Sequence, residues 1–284
     1  MNPLINYPRT VDLAHWINER ENIRLRREAG MAPPWTADPD MATVRYCNVH
    51  REDDKVTRWL RNNPVYSGVD IPVWVTVLAR MVNRISSLAY IEFAVQTEDI
   101  EGIKTSLKHL RAEGLPIWGN AYTISTCGKS MDKVDYVIDH VVSAVRLAEQ
   151  CPLWPNGLWQ DPWSLSLFHR WLMQIDGLGS FLVAQVVADL KNTPGHALAT
   201  ASDWWTFAAP GPGSLRGLVA YFGHPVTPSN FAASLSLVTQ QVKPLVAGYI
   251  GAIHAQDLQN CMCEFSKYIR VREGGKARNN YDAR

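Results

Sequence analysis

Apolar residues return every three or four positions along most of this 284-residue chain. The recurrence runs through 11–27, 56–60, 71–88, 100–110, 134–147, 165–173, 181–190, 231–245 and 258–269. That period places apolar side chains on one stripe of an α-helix, which must be buried against another helix. Strand-like alternation is confined to Ala89–Val95, which reads equally as the end of the preceding helix. Proline and glycine gather between the periodic segments, at 32–34, 115–119, 151–162 and 210–214. The expected fold is therefore all-α. It is read as one helical domain over 1–272, with two lobes around a cleft as the alternative arrangement, and a polar tail at 273–284.

The net charge of +1 excludes a chain coated in basic residues, so any nucleic-acid contact must come from local patches. The cysteines Cys47, Cys127, Cys151, Cys261 and Cys263 contain no C-x-x-C pair, which excludes a zinc ribbon or an iron–sulfur loop. The histidines show no metal-ligand spacing, and no metal or cofactor is expected. No apolar run reaches the roughly 18 residues of a membrane span.

Within 172–190 the sequence Ile175-Asp176-Gly177-Leu178-Gly179 separates two apolar helical stretches. Glycines let the chain turn tightly, and Gly177, Gly179 and Ser180 then offer backbone N–H groups at a helix N-terminus, where an anion such as phosphate binds. An ordinary helix–loop–helix joint would use the same tripeptide. About two dozen residues on stands Asp203, before Trp204-Trp205; it could equally cap a helix starting there. A second loop, Pro210-Gly211-Pro212-Gly213-Ser214-Leu215-Arg216, leads into a helix. Gly211, Gly213 and Ser214 suit close backbone approach to DNA, and Arg216 can fork onto phosphate; a surface connection is the plain alternative.

A third segment is Arg45-Tyr46-Cys47-Asn48-Val49-His50-Arg51-Glu52-Asp53-Asp54-Lys55-Val56-Thr57-Arg58. Asn48 is expected to cap a helix on which Arg51, Lys55 and Arg58 share one face, able to hold phosphate or pyrophosphate. A solvated face with an Asp54–Arg58 pair accounts for the same spacing. Glu264 and Lys267 lie three apart on the last helix, either as a surface pair or with Glu264 holding an ammonium group. Asn120, Thr123 and Lys129 belong to a polar loop, 119–130, that could line a pocket.

The hairpin followed by Asp203 resembles the helix-hairpin-helix DNA glycosylases, in which the hairpin grips a DNA phosphate and the aspartate stands at the pocket for a flipped-out base. The segment at 45–58, with 172–190, 207–217 and 257–268, resembles the bacteriophage α-glutamyl/putrescinyl-thymine pyrophosphorylase-like proteins, amino acid:DNA transferases of thymidine hypermodification. A related helical domain is fused to 5-hydroxymethyluracil DNA kinases. The four motifs span nearly the whole chain.

The resemblance implies a glycosylase-like helical bundle acting in the host cytoplasm on double-stranded DNA that contains 5-pyrophosphorylmethyluracil. An amino acid or polyamine would displace the pyrophosphate, with Asp203 catalytic and the base out of the stack. It places Arg45, Asn48, Arg51, Asp54, Lys55, Arg58, Asn120, Arg216, Glu264 and Lys267 at the pyrophosphate and co-substrate. The chain lacks G-x-x-x-x-G-K-[ST], so it carries no kinase phosphate loop of that kind. No lysine follows Gly179 closely, which argues against a strand-cleaving Schiff base. A base-excising glycosylase and a non-catalytic hairpin module are the alternative functions.

Overall fold

The computed structural model describes residues 9–150 and 163–276. Its elements are helices α1 (Thr10–Glu28), α2 (Pro39–Ala42), α3 (Lys55–Asn62), α4 (Val73–Val82), α5 (Ile85–Gln96), α6 (Ile100–Ala112), α7 (Lys133–Asp135), α8 (Ser143–Glu149), α9 (Leu165–Leu172), α10 (Ser180–Lys191), α11 (Pro212–Phe222), α12 (Phe231–Val242) and α13 (Ala255–Arg272). No strand occurs among the described residues, so the fold is all-α as the periodicity requires. The candidate strand Ala89–Val95 is interior to α5.

The chain divides into two compact units, Met1–Asp54 with Trp205–Arg284, and Lys55–Trp204. The crossings fall at Asp54/Lys55, inside the 45–58 motif, and at Trp204/Trp205, one residue beyond Asp203.

In the first unit the apolar stripe of α1 (Leu13, Trp16, Ile17, Ile23) joins Leu218 and Tyr221 of α11, Leu235 and Val238 of α12, and Leu258, Met262 and Phe265 of α13 in one core. Helices α11 and α13 lie unusually close. A Cβ on Gly217 would overlap the Met262 backbone, and one on Gly213 would overlap the Cys263 Sγ. The spacing of these glycines, one turn apart, gives α11 a smooth face on which α13 rests.

In the second unit every residue of α4 is buried, which makes it the central helix. Its capping position is Pro72, which has no side-chain oxygen to offer. Glu149, at the end of α8, supplies the missing acceptors: the Val73 and Trp74 N–H groups donate to its two oxygens at 2.7 and 3.0 Å. The apolar run 71–88 becomes two helices because Asn83 adopts the left-handed conformation (φ 46°, ψ 36°) that ends a helix. The Arg80 guanidinium, 1% exposed, forks onto the Asp189 carboxylate and tethers α4 to α10. The run 134–147 is helical throughout, with a π-helical stretch, Tyr136–Val142, between α7 and α8.

Candidate functional site

In the second unit, α9 and α10 are joined by a hairpin turn through Gly177. Gly177 has φ +93°, and a Cβ there would strike the Tyr136 hydroxyl and Val141, so only glycine fits. Gly179 is different. It has φ −82°, ψ 157°, and open space where its Cβ would stand. It precedes α10 without any side-chain cap, so the first N–H groups of that helix keep their outward dipole. Replacing both glycines would therefore test the fold at 177 and the surface at 179.

The polar loop 119–130 reaches this hairpin. Lys129 pairs with Asp176 at 3.0 Å, His140 of the π-helical stretch meets the same carboxylate at 2.9 Å, and Tyr122 packs edge-on against Phe181 (5.4 Å between ring centres). Lys129 holds the Asp176 carboxyl below its ordinary value, with help from His140. Asn120 and Thr123 stay exposed on that loop.

Asp203 is a cap, but not of a helix at Trp204, where the chain only turns. Its Oδ1 accepts the Leu165 N–H (2.7 Å), and its Oδ2 accepts the Ser166 N–H (3.0 Å) and the Ser164 hydroxyl (3.1 Å). Those N–H groups open α9, the helix that leads into the hairpin. The residues beside Asp203 are stapled down as well. The Ser202 N–H donates to the Trp163 carbonyl at 2.8 Å. The buried Lys191 ammonium donates to the Trp204 carbonyl at 3.0 Å and lies 4.4 Å over the Trp204 ring. Of the aromatic residues that follow, Trp204 is packed under Lys191, Trp205 is exposed and Phe207 is buried. Asp203→Asn retains one capping oxygen but turns an amide NH2 toward backbone N–H donors. Urea denaturation is expected to show a loss of about 1–2 kcal/mol. Wild-type stability would remove the cap from α9.

In the first unit, residues 44–53 are laid across α13. Arg20, only 3% exposed on the apolar stripe of α1, donates to the carbonyls of Tyr46 and Cys47 at 3.2 and 2.8 Å and to the Asn48 Oδ1 at 2.5 Å. Asn48 in turn donates to the Asp53 carbonyl, and its own carbonyl accepts from Asn260 at 3.1 Å. The Cys47 N–H donates to Glu264 (3.0 Å), and the Lys267 ammonium bridges Glu264 (2.9 Å) and the Arg45 carbonyl (2.7 Å), 4.5 Å above the Tyr46 ring. Burial pushes the Cys263 thiol up, against the positive charges of Arg216 and Lys267. Asn48, Glu264 and Lys267 spend their side-chain hydrogen bonds on holding the segment, Arg45 contributes its carbonyl, and the Arg45 and Arg216 side chains are exposed.

Three sequence expectations are corrected. Asn48 caps no helix; Arg20 and Asp53 take its side chain. Arg51 does not share a helix with Lys55 and Arg58: it lies in a short 3-10 turn (Arg51–Asp53), and Asp54 is extended (ψ 139°) before α3 begins. Lys55 and Arg58 remain exposed on α3. Ser214 is fully buried, its hydroxyl bonded to the Gly211 N–H and carbonyl, and Gly213 faces Cys263, so this loop spends both on packing.

His50, in the same segment, is held at both ring nitrogens. Its Nδ1 meets Asp257 Oδ2 at 2.9 Å and its Nε2 meets the Ile250 carbonyl at 2.6 Å. Both partners are acceptors, so both ring nitrogens carry protons and His50 is an imidazolium. The bond to Asp257 raises its pKa from 6.5 to about 9, against the opposing effect of burial. His254 accepts the Asp257 N–H through Nδ1, and its Nε2 lies 3.3 Å from the Asp257 carboxylate. Burial acts to raise the Asp257 carboxyl, but the His50 bond and both histidines outweigh it and hold it low.

Residues 8–277 match the family described as 5-hmdU DNA kinase, helical domain, and the chain belongs to that family. It is similar to a 5-hmdU DNA kinase of Bacillus phage SP10, with 25% identity over 230 residues. The match covers 72% of this chain and 34% of that kinase, so the chain spans about a third of its relative's length. No solved structure matches the chain significantly. No helix among the described residues is long and apolar enough to cross a membrane.

Proposed function

We propose that this protein modifies a thymine-derived base in phage DNA, exchanging the pyrophosphate of 5-pyrophosphorylmethyl-deoxyuridine for an amine. The amine nitrogen bonds to the exocyclic methylene as the C–O bond to pyrophosphate breaks. Pyrophosphate leaves with the electron pair, the amine gives up a proton, and the glycosidic bond stays intact. The observation that carries the reading is membership of a helical family named for 5-hydroxymethyl-deoxyuridine in DNA, in a chain with a helix-hairpin-helix and no kinase phosphate loop of the G-x-x-x-x-G-K-[ST] type.

The geometry supports the following roles. The hairpin receives a DNA phosphate at the uncapped start of α10. In the second unit Lys55 and Arg58, exposed on α3, offer charge to phosphate or pyrophosphate oxygens; in the first unit Arg216, exposed on α11, offers charge to phosphate. Asp203 has three of roughly four acceptor sites occupied, which suits electrostatic support of an electron-poor methylene better than proton abstraction.

The test is direct. Duplex DNA bearing 5-pyrophosphorylmethyluracil is incubated with the protein and glycine, serine, glutamate or putrescine, then digested to nucleosides for mass analysis. An amine adduct on intact deoxyuridine is expected. Free base and abasic sites would establish excision instead, and unchanged nucleoside with retained duplex binding would leave a DNA-binding module. For the hairpin, Gly179→Glu adds a carboxylate where no atom now stands. It is expected to weaken duplex binding about tenfold or more in fluorescence anisotropy, with stability unchanged. Unaltered affinity would take the hairpin off the DNA-binding surface.

A further inference from the structure

The first unit contains a cavity of about 190 Å³ between the C-terminal end of α12, the segment 243–251 and the start of α13. Val242, Val246, Ala247, Ile253 and Leu258 give it apolar walls, and Lys243 is the one charged residue among those lining it. It opens to solvent beside Lys243, Gly248 and Gly251, which are exposed. Here it is held open. Asn18 of α1 donates to the Leu245 carbonyl (3.1 Å) and accepts the Ala247 N–H (2.8 Å), while His50 holds the Ile250 carbonyl (2.6 Å). The segment is thus pinned at both ends by side chains from elsewhere in the unit and does not settle onto the floor made by α12 and α13. Gly248 and Gly251 have no atom within 4 Å of where a Cβ would stand.

We infer that this cavity is a binding site for a small monocarboxylate with an apolar body. An apolar pocket of about 150 Å³ holds benzene, so this one accepts roughly seven non-hydrogen atoms. Lys243 is exposed and forms no ion pair among the described residues. Its ammonium sets the sign of the ligand, favouring an anion and opposing a cationic amine. The Thr239 hydroxyl is already committed to the Leu235 carbonyl (2.9 Å), so the interior asks for no second polar group. The inference is independent of the DNA chemistry proposed above.

Hexanoate, hexan-1-ol and hexylamine are the probes, titrated into the full chain while methyl NMR signals are followed. Hexanoate is expected to shift the Val242, Val246, Ile253 and Leu258 methyls saturably, with a Kd of about 1 mM, and hexylamine to bind about tenfold more weakly or worse. Lys243→Glu should reverse that order and leave hexan-1-ol unchanged. Ala247→Phe should fill the cavity and abolish all three; Val246→Phe serves if that variant does not fold. Absence of a saturable hexanoate shift at these methyls would overturn the site. So would a folded filling variant that still binds, or a Lys243→Glu protein with the original preference.

Discussion

Gly217→Ala is expected to cost about 3 kcal/mol, the upper part of the range for overpacking a core. For a chain of this length that lowers the thermal midpoint by about 8 °C. The sign is what makes the prediction informative. Inside a helix the same replacement ordinarily stabilises by about 1 kcal/mol through propensity and chain entropy. Here the added Cβ would overlap the carbonyl oxygen and carbon of Met262, which are main-chain atoms of α13 and cannot rotate aside. Gly213→Ala meets the Cys263 Sγ instead, the end of a side chain. It is expected to cost about 1–2 kcal/mol alone and less than about 0.5 kcal/mol in a Cys263→Ala background. Differential scanning calorimetry of wild type and the four variants checks the pattern. A Gly217→Ala protein as stable as wild type would mean that α11 and α13 are not in backbone contact.

That contact marks the limit of what the sequence showed. Helices were legible because burial imposes a period, and the period survives in α1, α6, α9, α10 and α13 nearly end to end. Breaks without proline or glycine were not. The turn at Asn83 divides one apolar run into two helices, and nothing in 71–88 announces it except an asparagine that can adopt a left-handed conformation. The hairpin was legible because Gly177 needs a positive φ that its neighbours do not. In the loop before α11 the glycine signal was ambiguous, since close approach to a ligand and close approach to another helix demand the same absent Cβ. The structure gives Gly213 the second use.

The polar motif at 45–58 was read as one helix with a cationic face because its charges fit an i, i+4, i+7 spacing. The fit was accidental: Asp54 is extended, and the polar atoms of 45–53 are answered by α1 and α13, more than 200 residues apart from the motif in the case of Asp257 and Glu264. A clue was available in α1. Arg20 stands on the same stripe as Trp16, Ile17 and Ile23, where a guanidinium survives only with buried partners. Asp203 was legible as a residue with a local task, but the helix it serves begins 38 residues earlier.

His50 is expected to give the protein a pH-dependent stability in the alkaline range. Its folded pKa of about 9 lies above the ordinary 6.5. The imidazolium therefore contributes fully below pH 6.5, and the contribution is lost as pH rises through about 9. The difference corresponds to about 3 kcal/mol. Asp257 acts in the opposite direction. Its carboxyl is held below the ordinary 3.8, so its contribution is present above that value and is lost as pH falls further. The pair is thus strongest between about pH 4 and 6.5. Urea denaturation at pH 6 and pH 9.5 should show wild type losing about 3 kcal/mol more than His50→Gln across that interval. Asp257→Asn leaves the imidazolium without its counter-charge and should cost about 3–5 kcal/mol at pH 6, falling toward pH 9.5 as His50 gives up its proton. The cavity wall is insulated from this titration, because His50 Nε2 holds the Ile250 carbonyl whether or not Nδ1 is protonated, while Asp257 also orders the Arg51 N–H (3.1 Å). Parallel pH profiles for wild type and His50→Gln would show that the histidine is neutral in the folded protein.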